Sequence, residues 1–345
     1  MLTSFSSLAE MYSRPFDTII DVRSESEFQE DHVPGAINLP VLNDAERAEV
    51  GTIYVQECSF KARKIGAALV ARNAARHLEE SLSDREGGWQ PLVYCWRGGQ
   101  RSGSFASILS QVGWRTSLLE GGYRTYRRMV VEALYEAPFL PPVYLLDGNT
   151  GTAKTRILEK VGGLGVQVLD LEGLANHRGS LFGGFKEGQP SQKSFEGALA
   201  QAITPLEPSR PVLIEAESSK IGERMVPPSL WAAMKEAPRL RISAPLEARS
   251  EYLTRAYSDL IADKSVLRET IGKLASLHSV KQIGIWIDMA ETGEFEALAG
   301  SLMEEHYDPR YRKGGNPAEA TFEVDGLGES DLDQVAARIG DYLGR

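Results

Sequence analysis

The chain of 345 residues has room for two domains of ordinary size, and 42% hydrophobic with 25% charged residues is the composition of a globular protein. Its only two cysteines, Cys58 and Cys95, exclude a disulfide scaffold and fit a reducing cytoplasm, and no uncharged apolar run nears the ~20 residues of a membrane span. A net charge of -10 excludes a uniformly cationic coat, yet from Lys61 to Arg128 twelve Lys or Arg face five Asp or Glu, so the rest of the chain carries -17 against a local +7.

The first strand signal is Thr18-Ile19-Ile20-Asp21-Val22-Arg23, and Ser24-Glu25-Ser26-Glu27-Phe28 after it marks a helix start. His32 to Pro40 reads as a turn feeding a short strand. Residues 62–82 predict a long helix with apolar Ile65, Leu69 and Val70 on one side and basic residues on the others. Leu92-Val93-Tyr94 predicts a buried strand, residues 105–112 a helix, and Ser117-Leu118-Leu119 a further strand. Strands alternating with helices predict a parallel α/β sheet.

Three prolines between Ala137 and Pro142 make a stiff connector, which divides the chain into domains at 1–137 and 138–345. A second α/β series begins with Val143-Tyr144-Leu145-Leu146-Asp147. Further strands are predicted at 166–169, 211–215 and 239–242, and a mainly helical part from Glu247 to about Tyr307.

Two segments carry chemistry. Cys95 closes the apolar run Pro91 to Tyr94 and leads into Trp96-Arg97-Gly98-Gly99-Gln100-Arg101-Ser102. A nucleophilic cysteine must be a thiolate, which cations and a helix N-terminus favour. Gly98 and Gly99 let backbone N–H groups turn inward with Ser102 into an anion cradle, and Arg97 and Arg101 add positive charge. In the second segment, Gly148-Asn149-Thr150-Gly151-Thr152-Ala153-Lys154-Thr155 lies between a strand and a helix, with the spacing of a phosphate-binding loop. Lys154 would reach phosphate oxygens and Thr155 is placed to ligate magnesium, while Ala153 stands where that pattern has its second glycine and adds a Cβ near the phosphate. Glu215 and Glu217, at the end of a third apolar strand, are candidates for the acidic residue that accompanies such a loop. The run Tyr123-Arg124-Thr125-Tyr126-Arg127-Arg128 offers cations for phosphates and rings for stacking on bases. Cys58 reads as packing filler, with a resolving thiol for Cys95 as the alternative.

Together, Asp21-Val22-Arg23, Glu27-Phe28, His32 to Asn38 and the Cys95 loop resemble a rhodanese domain, and the second half resembles a P-loop NTPase-like domain. Fused in this order, with Tyr94 to Ser102, Leu171 to Ser180, Ile214 to Ser218 and His306 to Tyr311 as further motifs, they resemble the bacterial tRNA 2-selenouridine synthases. The resemblance implies conversion of wobble 2-thiouridine to 2-selenouridine through an S-geranylated intermediate. Its substrates would be geranyl diphosphate and selenophosphate, with no tightly bound cofactor and with magnesium permitted at the P-loop. It also implies the tRNA anticodon stem-loop as partner, with His177 and Arg178 joining Tyr123, Arg124, Arg127 and Arg128 as RNA-binding residues, and a selenophosphate-supplying enzyme. Ala216 stands where a second strand-end carboxylate is expected. Two other readings remain open from the residues alone. Cys95 with Arg101-Ser102 also has cysteine-phosphatase spacing, and Lys154-Thr155 suits a nucleotide-regulated sulfur carrier.

Overall fold

The computed structural model of the protein describes residues 1–311 and 317–344. The chain forms two compact units, Met1–Pro138 with Pro190–Pro205, and Phe139–Gln189 with Leu206–Arg345. The sequence boundary at 137/138 misses one exchange: the helix Gln192–Ile203 belongs to the first unit. Its Phe195, Leu199 and Ala200 are fully buried, and a polar sequence connector gives no sign of which core such a helix joins.

The first unit is a parallel sheet of β1 (Leu2–Thr3), β2 (Thr18–Asp21), β3 (Ile37–Asn38), β4 (Pro91–Tyr94) and β5 (Ser117–Leu119), in the order β1-β5-β4-β2-β3. Its helices are α1 (Leu8–Ser13), α2 (Glu25–Glu30), α3 (Asp44–Gln56), α4 (Ser59–Glu79), α5 (Gln100–Val112) and α6 (Tyr123–Val131). All four residues of β4 are buried, as in a parallel strand covered on both faces, and the strand delivers Cys95 to the carboxyl edge of the sheet. Ile20, Val22, Val93, Phe105 and Leu109 form the core beneath it.

The second unit holds β6 (Val143–Gly148), β7 (Gln167–Leu169), β8 (Val212–Glu215), a two-stranded antiparallel ribbon of β9 (Lys220–Ile221) and β10 (Arg224–Met225), β11 (Arg239–Ser243) and β12 (Ala318–Glu323). The main sheet is parallel, in the order β12-β11-β6-β8-β7, so β6 and β8 lie side by side with Leu146 paired to Glu215. The helix α7 (Lys154–Gly163) follows β6, and the short α8 (Leu171–Leu174) follows β7. Residues 246–311 are helical, and β12 with the helix Glu329–Tyr342 then completes the edge of the sheet. Among the described residues no helix is long and apolar enough to cross a membrane.

Candidate active sites

At the end of β4, Cys95 is 4% exposed, and the Ser102 hydroxyl donates to its Sγ at 3.0 Å. The loop closes against the turn before α6, where Gly98 (φ +65°) and Gly122 (φ +60°) meet. A Cβ on Gly122 would lie 2.2 Å from the Cys95 carbonyl oxygen, so only glycine fits this approach. The Tyr123 and Arg124 amides then donate to the carbonyls of Cys95 and Trp96, at 2.8 and 3.2 Å. Among the described residues, no carbonyl takes the amides of residues 97–102, which leaves them available for an anion.

Behind the loop, Trp96 stacks on Tyr123 with centroids 5.2 Å apart, and the Arg23 guanidinium lies 4.1 Å from the Tyr123 ring. Arg23 is buried and paired with Asp21 at 2.6 Å, while the Tyr123 hydroxyl donates to Asp31 at 2.6 Å. Burial raises the Asp31 carboxyl above its ordinary value despite that bond. None of Arg23, Asp31 or Glu27 was singled out as a site residue by sequence.

Four sequence expectations change here. The Arg101 guanidinium is paired with Glu27 at 2.7 Å, and Glu27 is held also by Arg47, so Arg101 is not a free cation of the cradle. This weighs against phosphatase chemistry, which needs that arginine on phosphate. Tyr123 and Tyr126 are 3% and 0% exposed and belong to the core, so neither can stack on a base. Arg127 is tied to Glu196, which also accepts from Tyr135 at 2.6 Å, leaving Arg124 and Arg128 as the exposed cations of α6. Cys58 is not packing filler but an exposed residue preceding α4, where the Lys61 and Phe60 amides hold its thiol below the ordinary cysteine value.

The phosphate-binding loop stands on β6. Asp147 accepts from the Gly148 amide at 2.9 Å and pairs with Arg241, fixing the strand end. Thr152 is buried and donates to the Asn149 carbonyl at 2.8 Å, so its hydroxyl closes the loop. Gly151 (φ +86°) brings the backbone against Leu253. Ala153 takes the left-handed conformation (φ +59°, ψ 29°) that a glycine would take, which costs about 1–2 kcal/mol. Its methyl packs in the core with Leu146 and Ile157, so the Cβ expected near the phosphate is accommodated by apolar neighbours.

Lys154 Nζ donates to the Gly148 carbonyl at 3.1 Å, and the Thr155 hydroxyl donates to Glu172 at 3.2 Å. Glu172, from α8, is the carboxylate that sequence reading missed as a site residue, although its motif was in view. Glu172 and Glu217 share a hydrogen bond, and the Glu172 amide points at Glu215 at 3.4 Å. Glu215 is fully buried with Oε1 unpartnered. Burial raises all three carboxyls, most clearly Glu172 and Glu215, and their mutual repulsion adds to it. Gly179 (φ +66°) fits against Glu172 and Glu217, where a Cβ would come within 2.3 Å of the Glu172 oxygen.

An apolar pocket of about 80 Å³, partly open to solvent, adjoins this loop. Thr150 and Leu253 line it at the loop, Tyr257 forms a wall, and Phe182, Leu298 and Leu302 belong to the helical core. His177 is half-buried, and burial lowers its imidazole below the ordinary value. Arg178 is paired with Asp259 at 2.9 Å and lies between the rings of Phe185 and Tyr257, 20% exposed, so its guanidinium serves this unit's own packing.

The fold and the two sites define a rhodanese-like domain combined with a P-loop domain. Residues 4–129 match the model of the rhodanese-like domain and residues 141–282 that of the tRNA 2-selenouridine synthase AAA domain. Full-length relatives agree. The tRNA 2-selenouridine synthase of Nitrosomonas europaea is 34% identical over 83% of this chain and 74% of its own length. That of Alcanivorax borkumensis is 31% identical over 85% and 88%, and that of Shewanella halifaxensis 35% identical over 70% and 68%. The chain belongs to the tRNA 2-selenouridine synthase family.

Proposed function

We propose that this enzyme modifies tRNA in two steps, S-geranylating 2-thiouridine at the wobble position and then replacing the sulfur by selenium from selenophosphate. The observation that carries the first step is the apolar cavity bordering the phosphate-binding loop at Thr150. One ligand that needs both an anion cradle and an apolar chamber is a prenyl diphosphate. Its diphosphate would lie on the loop backbone and Lys154, with the ten-carbon tail in the cavity. The thiouridine sulfur attacks the first prenyl carbon as the carbon–oxygen bond breaks, diphosphate leaves with its charge met by Lys154 and the α7 N-terminus, and the base loses its N3 proton. Among the described residues no group of three or more His, Cys, Asp or Glu is arranged to hold a metal alone. Magnesium would be held by the diphosphate with Thr155, where it would supply charge neutralisation.

In the second step the phosphate of selenophosphate would rest on the amides of residues 97–102, with Arg97 at the rim. Selenium displaces geranylthiol at C2, water takes the phosphoryl group as phosphate, and Cys95 is the thiol on which the transfer depends. A selenophosphate-supplying enzyme is the implied partner. Nucleoside analysis of tRNA incubated with each variant tests both steps. Lys154→Ala should reduce S-geranyl-2-thiouridine at least about a hundredfold. Cys95→Ser should let the geranylated nucleoside accumulate while 2-selenouridine disappears. Unchanged 2-selenouridine in the Cys95 variant would overturn the second step, and unchanged geranylation in the Lys154 variant the first.

A further inference from the structure

The exposed face of α4 is the cationic surface that α6 was expected to supply. Helix α4 spans 21 residues and carries Lys61, Arg63, Lys64, Arg72 and Arg76 against one acid, Glu79, in a chain of net charge -10. At 100° per residue, Lys61, Lys64, Arg72 and Arg76 fall within an arc of about 120°, opposite the buried Gly66, Val70 and Asn73. All four are exposed, as are Ala68 and Ala75 between them, while the half-buried Ile65 and, at the C-terminal end, the exposed Glu79 share the same arc. Lys61 is paired with Glu57, whereas among the described residues Lys64, Arg72 and Arg76 meet no carboxylate. Lys61 with Lys64, and Arg72 with Arg76, are like-charge neighbours three and four residues apart. Such pairs weaken a helix by about 0.2–0.5 kcal/mol each, where an ordinary surface helix would alternate signs.

We infer that this face is a docking surface for the phosphate backbone of RNA, an inference that rests on the reading of tRNA as substrate. Lys61 to Arg76 covers about 22 Å along the axis, long enough to follow a run of phosphates rather than one anion. At its N-terminal end stand the aromatic side chains of Phe60 and Tyr54, 68% and 58% exposed. Unpaired bases stack on such rings, whereas an acidic protein has less use for them. The helix packs on α5, which starts at the Cys95 loop, so RNA held along α4 lies on the same unit as the thiol.

The test is binding of bulk tRNA to the full chain at 50, 100 and 200 mM KCl. Each phosphate-contacting cation removed should lower the salt slope by about 1. The triple variant Lys64→Gln, Arg72→Gln, Arg76→Gln should therefore lose about 3 from the slope and at least tenfold in affinity at 50 mM. Arg124→Gln with Arg128→Gln should change affinity less than threefold. A triple variant with the parental slope overturns the surface, while a parental chain that binds no tRNA at 50 mM overturns the tRNA reading itself. Lysine acetylation of the unaltered chain is an independent measurement. Protection of Lys61 and Lys64 by tRNA supports the surface, equal labelling with and without tRNA refutes it, and equal protection by polyglutamate shows an acidic-protein site instead.

Discussion

At the scale of single residues, the second site is held in a conformation that stability alone would not favour. Glu215 is buried beside Glu172, and desolvation raises its carboxyl well above 4.5. The folded state then keeps a proton that the unfolded chain has already released, so this group's contribution to stability falls as pH rises from about 4.5 through the raised value. Glu215→Gln keeps the shape and removes the charge. In metal-free buffer the variant should unfold at higher temperature than the parent at pH 8, with the difference shrinking toward pH 5. Each pK unit of the shift corresponds to about 1.4 kcal/mol. The same variant should geranylate poorly if Glu215 belongs to the reacting site. A melting difference that is constant with pH would show that the carboxyl is not raised. The role of such a carboxylate was half legible in the sequence, since an apolar strand ending in Glu215 marks a P-loop partner. The involvement of Glu172 was not, because 43 residues separate it from Glu215 and only the neighbouring strands β7 and β8 bring them together.

At the scale of elements, the strand-loop-helix units around Cys95 and Lys154 were legible because each is continuous in sequence. Interactions between elements were not. The alternation of tyrosine and arginine in α6 looks the same whether its rings face RNA or a core, and what decides is Asp31, Glu196 and Arg23, which come from distant segments. Arg101 similarly reads as a cradle cation until Glu27, 74 residues earlier, takes its charge. The apolar cavity also has no local signature, since its lining comes from the loop after β6, from Ser180 and Phe182, and from several helices between residues 253 and 307. Its role can be separated from that of the phosphate loop. Ala299→Phe places a ring where Ala299 now lines the chamber. The Michaelis constant for geranyl diphosphate should rise at least tenfold, while inhibition by inorganic diphosphate stays within twofold of the parent, a split that follows from the loop and chamber holding different ends of the ligand. Equal weakening of both would mean that the substitution damages the loop rather than the chamber.

At the scale of the molecule, the proline-rich connector marks where the chain leaves the first sheet, but the first unit is finished only by residues 190–205. Buried Phe195 and Leu199 each contribute about 1.5–3 kcal/mol. Glu196 neutralises the half-buried Arg127, and removing one partner of a buried pair costs about 3–5 kcal/mol. Arg127 keeps some exposure, so the lower end applies. These losses sum to about 6–9 kcal/mol, comparable with the 5–15 kcal/mol that holds a whole domain. A fragment of residues 1–138 should therefore unfold at least 10 °C below one in which residues 190–205 are rejoined by a flexible linker. Thermal unfolding followed by circular dichroism measures the gap. Coincident transitions would mean that the helix Gln192–Ile203 rests on the first unit without completing it. A lower transition would explain why the two sequence families cannot be cut apart at the prolines: the second half of the chain returns a helix that the first requires.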